Sequence, residues 1–127
     1  MEIDKIVLEA FCEANDCLLN NNYTACALMC RKLLMNLAIA HEANEGLKFE
    51  AYIEYLQDYN VLTPDVDYFF DREPEKIRTL GNDAAHKAKP ITKQNATNII
   101  NTSKILLSLV YKFEKDIDIC KPIERNI

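Results

Sequence analysis

The chain has 127 residues, of which 49% are apolar and 28% charged, and its formal net charge is −5. This composition excludes disordered and fibrous proteins, and two glycines and four prolines are too few for the many tight turns of an all-β protein. The acidic total argues against binding of nucleic acid through overall charge. Because a chain of this length can bury a core without metal or disulfide support, we expect a single domain over residues 1–127.

The first two predicted helices fill the N-terminal third of the chain. From Ile3 the apolar residues recur at intervals of three and four, with acidic residues such as Glu9 opposite, so this helix is amphipathic. Asparagines at 20–22 form a turn, and a second helix is predicted over residues 23–43. Its two apolar faces indicate a position at the centre of the fold or at a subunit interface.

Three more helices are predicted in the remainder of the chain. Residues 44–46 end the second helix as a left-handed cap, and a third helix covers 49–59. A fourth helix covers 74–86, and a long last helix begins after Thr92 as N-cap and continues until Lys121-Pro122 stops it. The pattern therefore predicts an all-α, up-and-down bundle of four to five helices.

The cysteines and the N-terminus set expectations for metal binding and location. The five cysteines are Cys12, Cys17, Cys26, Cys30 and Cys120. They lie in helical apolar patterns without the C-x-x-C spacing of a zinc site, so we expect reduced core residues, no metal and no cofactor. The sequence has no run of about twenty apolar residues and no secretory signal. We therefore expect a cytoplasmic protein that does not contact a membrane.

Positive charge is concentrated between residues 72 and 93. Six basic and three acidic residues give this segment a local charge of +3, against −8 for the remainder. Four of its lysines are candidates for RNA contact, namely Lys76, Lys87, Lys89 and Lys93. The alternative interpretation is a chance cluster of solvated side chains.

Three polar residues in this segment are spaced by four: Arg78, Asn82 and His86. On a helix they share one face, one turn apart. A guanidinium can hold a phosphate, an amide can orient its neighbour, and an imidazole exchanges protons near neutral pH. This set suits phosphoryl chemistry on RNA, and the three residues are the candidate catalytic residues. The alternative is structural, with Arg78 paired to a nearby acid and the other two bonded to backbone carbonyls.

Gly81 lies inside the same predicted helix. Glycine in a helix costs about 1 kcal/mol relative to alanine, so a steric reason for it is expected. We predict that Gly81 is a close-approach position, where the missing side chain admits another helix or a phosphate.

The string R-x-x-G-N-x-x-A-H at residues 78–86 resembles a branch of the HEPN superfamily. It is preceded by a helix with Cys30-Arg31-Lys32-Leu33-Leu34 and followed by the long helix after Thr92. That branch consists of small bacterial helical domains of unassigned function, and the resemblance covers roughly residues 23–115. It implies a HEPN-like bundle, commonly a homodimer in which the motif helices of two protomers meet.

The resemblance also implies a function. Many HEPN proteins are metal-independent endoribonucleases in toxin–antitoxin, phage-defence or CRISPR-associated systems. Their motif is an arginine, then asparagine, aspartate or histidine, then three residues and a histidine. Asn82 and His86 match its last two elements, but Gly81 stands where the motif has arginine, and Arg78 is a replacement inferred from helical spacing. Two hypotheses follow: a dimeric ribonuclease that acts on RNA, or a non-catalytic dimerisation module that binds a partner protein such as an antitoxin.

Overall fold

The computed structural model describes residues 2–62, 81, 83–85, 90–113 and 118–120. Four helices are bounded within these ranges: α1 (Lys5–Leu19), α2 (Tyr23–Ala40), α3 (Phe49–Asp58) and α4 (Lys93–Tyr111). Gly81 and residues 83–85 are also helical. The predicted all-α class is therefore confirmed. Most of the fourth predicted helix, over residues 74–86, lies outside the described residues.

Helix α1 begins and ends at polar side chains, as its sequence predicts. The Asp4 carboxylate accepts a hydrogen bond from the backbone N–H of Ile6 at 3.1 Å, which caps the N-terminus. At the other end the Asn20 amide donates to the carbonyl of Asp16 at 2.9 Å, and Asn21 turns the chain with a φ of 62°. The apolar face of α1 buries Val7, Ala10, Phe11 and Ala14.

Helix α2 is the centre of the fold, because it packs against α1, α3 and α4. Its buried residues are Cys26, Ala27, Cys30, Leu33, Leu34, Leu37 and Ala38. The predicted central position is therefore confirmed. By length and apolar composition alone, α2 could cross a membrane. Seven of its eighteen residues are buried against the other helices, and a core helix has the same apolar character.

The end of α2 differs from the prediction. The helix ends at Ala40, three residues before the predicted end at 43. Glu42 adopts the left-handed conformation with a φ of 74°, its N–H bonds Ile39 O at 2.9 Å, and the N–H of Ala43 bonds Ala38 O at 3.0 Å. This pair of bonds is a Schellman cap. The sequence predicts the cap at 44–46 because glycine is the usual left-handed residue, whereas a glutamate occupies the left-handed position in the structure.

Helix α3 is amphipathic and buries Phe49, Tyr52, Ile53 and Leu56. Its end at Asp58 is one residue before the predicted end. Asn60 is left-handed with a φ of 58°, and the N–H of Val61 bonds Leu56 O at 2.9 Å. The Tyr55 hydroxyl donates to the backbone carbonyl of His41, which ties α3 to the end of α2.

Helix α4 begins as predicted and ends early. Thr92 is its N-cap, and it forms a capping box with Asn95, whose N–H bonds the Thr92 hydroxyl at 3.0 Å. The helix ends at Tyr111, before the predicted stop at Lys121-Pro122, because Lys112 turns left-handed with a φ of 60°. Residues 114–117 lie outside the described ranges. The buried residues of α4 are Ala96, Ile99, Ile100, Thr102, Ser103, Leu106 and Leu107.

Two of the five cysteines form a disulfide, Cys12–Cys120, with their Cα atoms 5.6 Å apart. The expectation that all five are reduced is therefore wrong for this pair. The pairing joins α1 to the far end of the chain across 108 residues, a contact that local sequence patterns do not show. Cys17, Cys26 and Cys30 are free, and the last two are buried as expected.

The buried thiols of Cys26 and Cys30 lie one turn apart on α2 and are hydrogen-bonded to each other. This hydrogen bond, together with burial, raises the pKa of the Cys30 thiol well above its ordinary value. The Cys30 side chain therefore remains a neutral thiol at physiological pH. Its role in the core is that of a small apolar residue.

We predict that a thiol reagent will distinguish the three classes of cysteine. Native protein purified without reductant should react mainly at the partly exposed Cys17, unfolded protein at the three free thiols, and unfolded, reduced protein at all five. Reduction should lower the free energy of unfolding by about 2–4 kcal/mol, because the denatured chain loses a long cross-linked loop. Denaturant titration measures this change.

The matched control is Cys12→Ser, whose stability should not respond to reductant. Five reactive thiols in unfolded, unreduced protein would contradict the Cys12–Cys120 bond.

Candidate functional site

The described residues include two of the predicted site residues, Gly81 and Lys93. Lys93 is exposed at the first position of α4, and Gly81 is buried in a helical conformation. The predicted site residues outside the described ranges are Arg78, Asn82, His86, Lys76, Lys87 and Lys89. The geometry of the site is therefore built outward from Gly81.

Gly81 lies directly against the side chain of Arg31 on α2. A Cβ atom placed on Gly81 would lie 2.8 Å from Cβ of Arg31, 3.3 Å from its Cγ and 3.4 Å from its Cδ. Real Cβ atoms do not approach other carbon atoms as closely as the first of these distances. The aliphatic part of the Arg31 side chain (the stem) thus packs directly against the backbone of Gly81, which gives a steric reason for glycine at this helical position.

The guanidinium of Arg31 packs on an aromatic ring of α3. Its Cζ lies 4.7 Å from the centre of the Phe49 ring, in a cation–π contact. Phe49 is the first residue of α3 and is buried, so the ring is fixed by the core. Arg31 therefore joins α2, α3 and the segment that contains Gly81.

One donor of this guanidinium is unused. The Nε atom of Arg31 is buried and has no hydrogen-bond acceptor among the described residues. The Arg31 side chain as a whole is partly exposed. Stacking on Phe49 occupies a face of the guanidinium, whereas its N–H groups point outward in the plane. A planar set of donors of this kind binds a carboxylate or a phosphate through bidentate hydrogen bonds.

Sequence reasoning did not identify Arg31 as a site residue. It lies within the helix that precedes the motif, beside Lys32, and periodicity does not reveal what it contacts. The available signal was a charged pair in the middle of an otherwise uncharged helix of 18 residues. A charge at such a position needs a polar or aromatic partner, because burial of an unpaired charge is costly.

A groove also lies between α1 and α2. This groove has a volume of about 280 Å³ and is lined by apolar side chains of both helices together with Glu9, Glu13, Lys32, Asn36 and Glu45. The Asn36 amide donates to the backbone carbonyl of Ile6 at 3.0 Å, which ties the two helices together at the groove. Three carboxylates against one lysine make the groove acidic. Among the described residues, no three metal-ligating side chains are grouped to hold an ion.

We predict that Gly81→Ala lowers the free energy of unfolding by about 1–3 kcal/mol, because the added methyl group would collide with Cβ of Arg31 and force the helices apart. At an open helical site the same change would stabilise by up to about 1 kcal/mol. The sign of the change, measured by urea denaturation, therefore reports the contact.

The matched control is Ala85→Gly at an exposed helical position of the same segment. It should cost about 0.5–1 kcal/mol through helix propensity alone. A Gly81→Ala protein as stable as the wild type would contradict the close packing.

Comparison with known proteins identifies a family for this fold. A model of the family described as Domain of unknown function (DUF4145) matches residues 12–123. The search found no match among curated proteins and none among solved structures. The matched segment includes α2, α3, α4, Gly81 and both cysteines of the disulfide. The chain therefore belongs to the DUF4145 family of domains of unknown function.

Proposed function

We propose that this domain is a HEPN-like endoribonuclease that cleaves RNA without a metal ion, with His86, Asn82 and Arg78 as its catalytic residues. The observation that supports it is the helical conformation of Gly81 and residues 83–85. Spacing by four gathers three side chains on one face only when the intervening backbone is helical. The local charge of +3 over residues 72–93 supports the same assignment, because RNA is a polyanion.

In the proposed reaction the ribose supplies the nucleophile. His86 accepts the proton of the 2′-hydroxyl, the 2′-oxygen forms a bond to phosphorus, and the 5′-oxygen leaves and takes up a proton. Arg78 stabilises negative charge on the phosphate, and Asn82 orients the imidazole. The reaction needs a 2′-hydroxyl, so DNA is not a substrate. The products carry a 2′,3′-cyclic phosphate and a 5′-hydroxyl.

The proposal includes partners and a location. The active form is a homodimer in the cytoplasm, Lys76, Lys87, Lys89 and Lys93 contact the RNA backbone, and a partner protein or antitoxin controls activity in a toxin–antitoxin or phage-defence system. Cytoplasmic glutathione and thioredoxin keep most thiols reduced. On this proposal the Cys12–Cys120 disulfide therefore forms when the protein meets an oxidant.

The ribonuclease proposal predicts cleavage of RNA in EDTA by the wild-type protein. His86→Ala should lose at least about a hundredfold in rate, because a general base contributes that much or more. His41 is the other histidine of the chain and provides the matched control. Its Nδ1 contacts the Leu37 carbonyl at 2.9 Å at the end of α2, so His41→Gln should cleave RNA at close to the wild-type rate. Light scattering on the same samples gives the oligomeric state.

Two results would contradict this proposal. One is wild-type protein that leaves RNAs of varied sequence intact. The other is cleavage that survives His86→Ala unchanged, which would indicate a contaminating nuclease.

The second candidate function is a non-catalytic interaction module, and the acidic groove between α1 and α2 favours it. A groove with apolar lining and three carboxylates suits a basic, amphipathic segment of a partner protein. In that case Gly81→Leu should break dimerisation or stability, whereas His86→Ala should change little beyond local packing. Because Gly81→Leu should lose stability under either function, the test that distinguishes them is RNA cleavage by the wild type and its loss in His86→Ala.

A further inference from the structure

We propose that Arg31 is a phosphate-binding residue of the RNA site, contributed by α2 and held in place by Gly81 and Phe49. The identity of the ligand rests on the proposed function. The existence of the anion site rests on the contacts of three described residues, which belong to α2, α3 and the helical segment at Gly81.

The Arg31 side chain is held at two points along its length. Its stem lies against the backbone of Gly81, with Cβ, Cγ and Cδ all within 3.4 Å of where a Cβ on the glycine would be. Its Cζ lies 4.7 Å from the centre of the buried Phe49 ring. An arginine restrained in this way loses little conformational entropy when it binds a ligand.

The same guanidinium has an unfilled donor. Nε is buried without an acceptor among the described residues, although buried polar groups are almost always paired. An anionic ligand bound beside the partly exposed Arg31 would compensate the charge of the guanidinium and offer it an acceptor.

The surroundings favour phosphate over an isolated carboxylate. Gly81 lies in the middle of the basic segment 72–93, whose charge of +3 attracts a polyanion. Asn82, a proposed catalytic residue, follows Gly81 directly in the chain. Arg31 therefore contacts the backbone of the proposed catalytic segment itself, where the scissile phosphate or its neighbour would bind.

The contact also accounts for the missing arginine of the motif. An arginine at position 81 would have its own Cβ 2.8 Å from Cβ of Arg31, so the two side chains exclude each other. A guanidinium that reaches this point from α2 therefore requires glycine at 81. The departure from the HEPN motif and the presence of Arg31 are then one structural feature.

The test measures binding of a short, fluorescent 2′-O-methyl oligonucleotide, which keeps the phosphates and cannot be cleaved through a 2′-hydroxyl. Fluorescence anisotropy is recorded with the full chain between about 50 and 200 mM salt. Arg31→Met keeps an apolar stem against Gly81 and removes the guanidinium. It should bind about tenfold more weakly and reduce the slope of log K against log salt by about 0.7, the value for one contact to single-stranded nucleic acid.

The matched control is Lys32→Met. It removes the same charge from the next position of α2, where the side chain is exposed and lines the acidic groove. Its affinity should stay within about twofold of the wild type. A variant that keeps both charge and stem, Arg31→Lys, should bind about threefold more weakly with the salt slope unchanged, because an ammonium lacks the planar fork. Circular dichroism and thermal unfolding check the fold of each variant.

Arg31→Met that binds as tightly as Lys32→Met, or wild-type protein that does not bind the oligonucleotide, would overturn the assignment of Arg31. Binding that depends on Arg31 together with intact RNA in EDTA would support the phosphate site and refute the ribonuclease. Cleavage that depends on His86 together with unchanged binding by Arg31→Met would do the reverse.

Discussion

The contact between Arg31 and Gly81 follows from the position of a charged residue in the middle of the central helix, α2. This helix is covered by α1, α3 and α4, and its middle carries a charged side chain that must be accommodated in the fold. Glycine at 81 gives the stem its space, and the Phe49 ring partly replaces the water that the guanidinium loses. The Nε atom, which is buried without an acceptor among the described residues, still costs about 1–3 kcal/mol.

Local patterns in the sequence were sufficient to predict much of the fold. The apolar periodicity gave α1 and α3, and the hydroxyl of Thr92 marked the start of α4, because these features depend on neighbouring residues. The predicted ends of α2 and α4 were wrong for the same physical reason. Glu42 and Lys112 adopt left-handed backbone conformations, which are unfavourable for residues other than glycine and asparagine. Contacts in the surrounding structure determine at which residue this conformation is adopted.

The candidate site was predictable only in part. Gly81 could be identified because glycine lowers the stability of a helix, so a glycine inside one indicates a steric requirement. The side chain that occupies the space, Arg31, comes from another helix, and no spacing rule connects the two positions. The same limit applies to Cys12 and Cys120, which meet across 108 residues. Helical periodicity predicts which face of a helix is buried, but it does not predict which residues of other helices that face contacts.

The net charge of −5 is compatible with RNA binding because the two signs are separated in the chain. Neighbouring residues of α2 have different surroundings, since Lys32 lines the acidic groove with Glu9 and Glu13 whereas Arg31 lies against Gly81. At physiological ionic strength charges more than about 8 Å apart are largely screened, so a phosphate responds to nearby groups rather than to the total. An acidic remainder also disfavours RNA elsewhere on the surface. On the proposed function, a small basic site within an acidic domain selects the place of binding as well as the ligand.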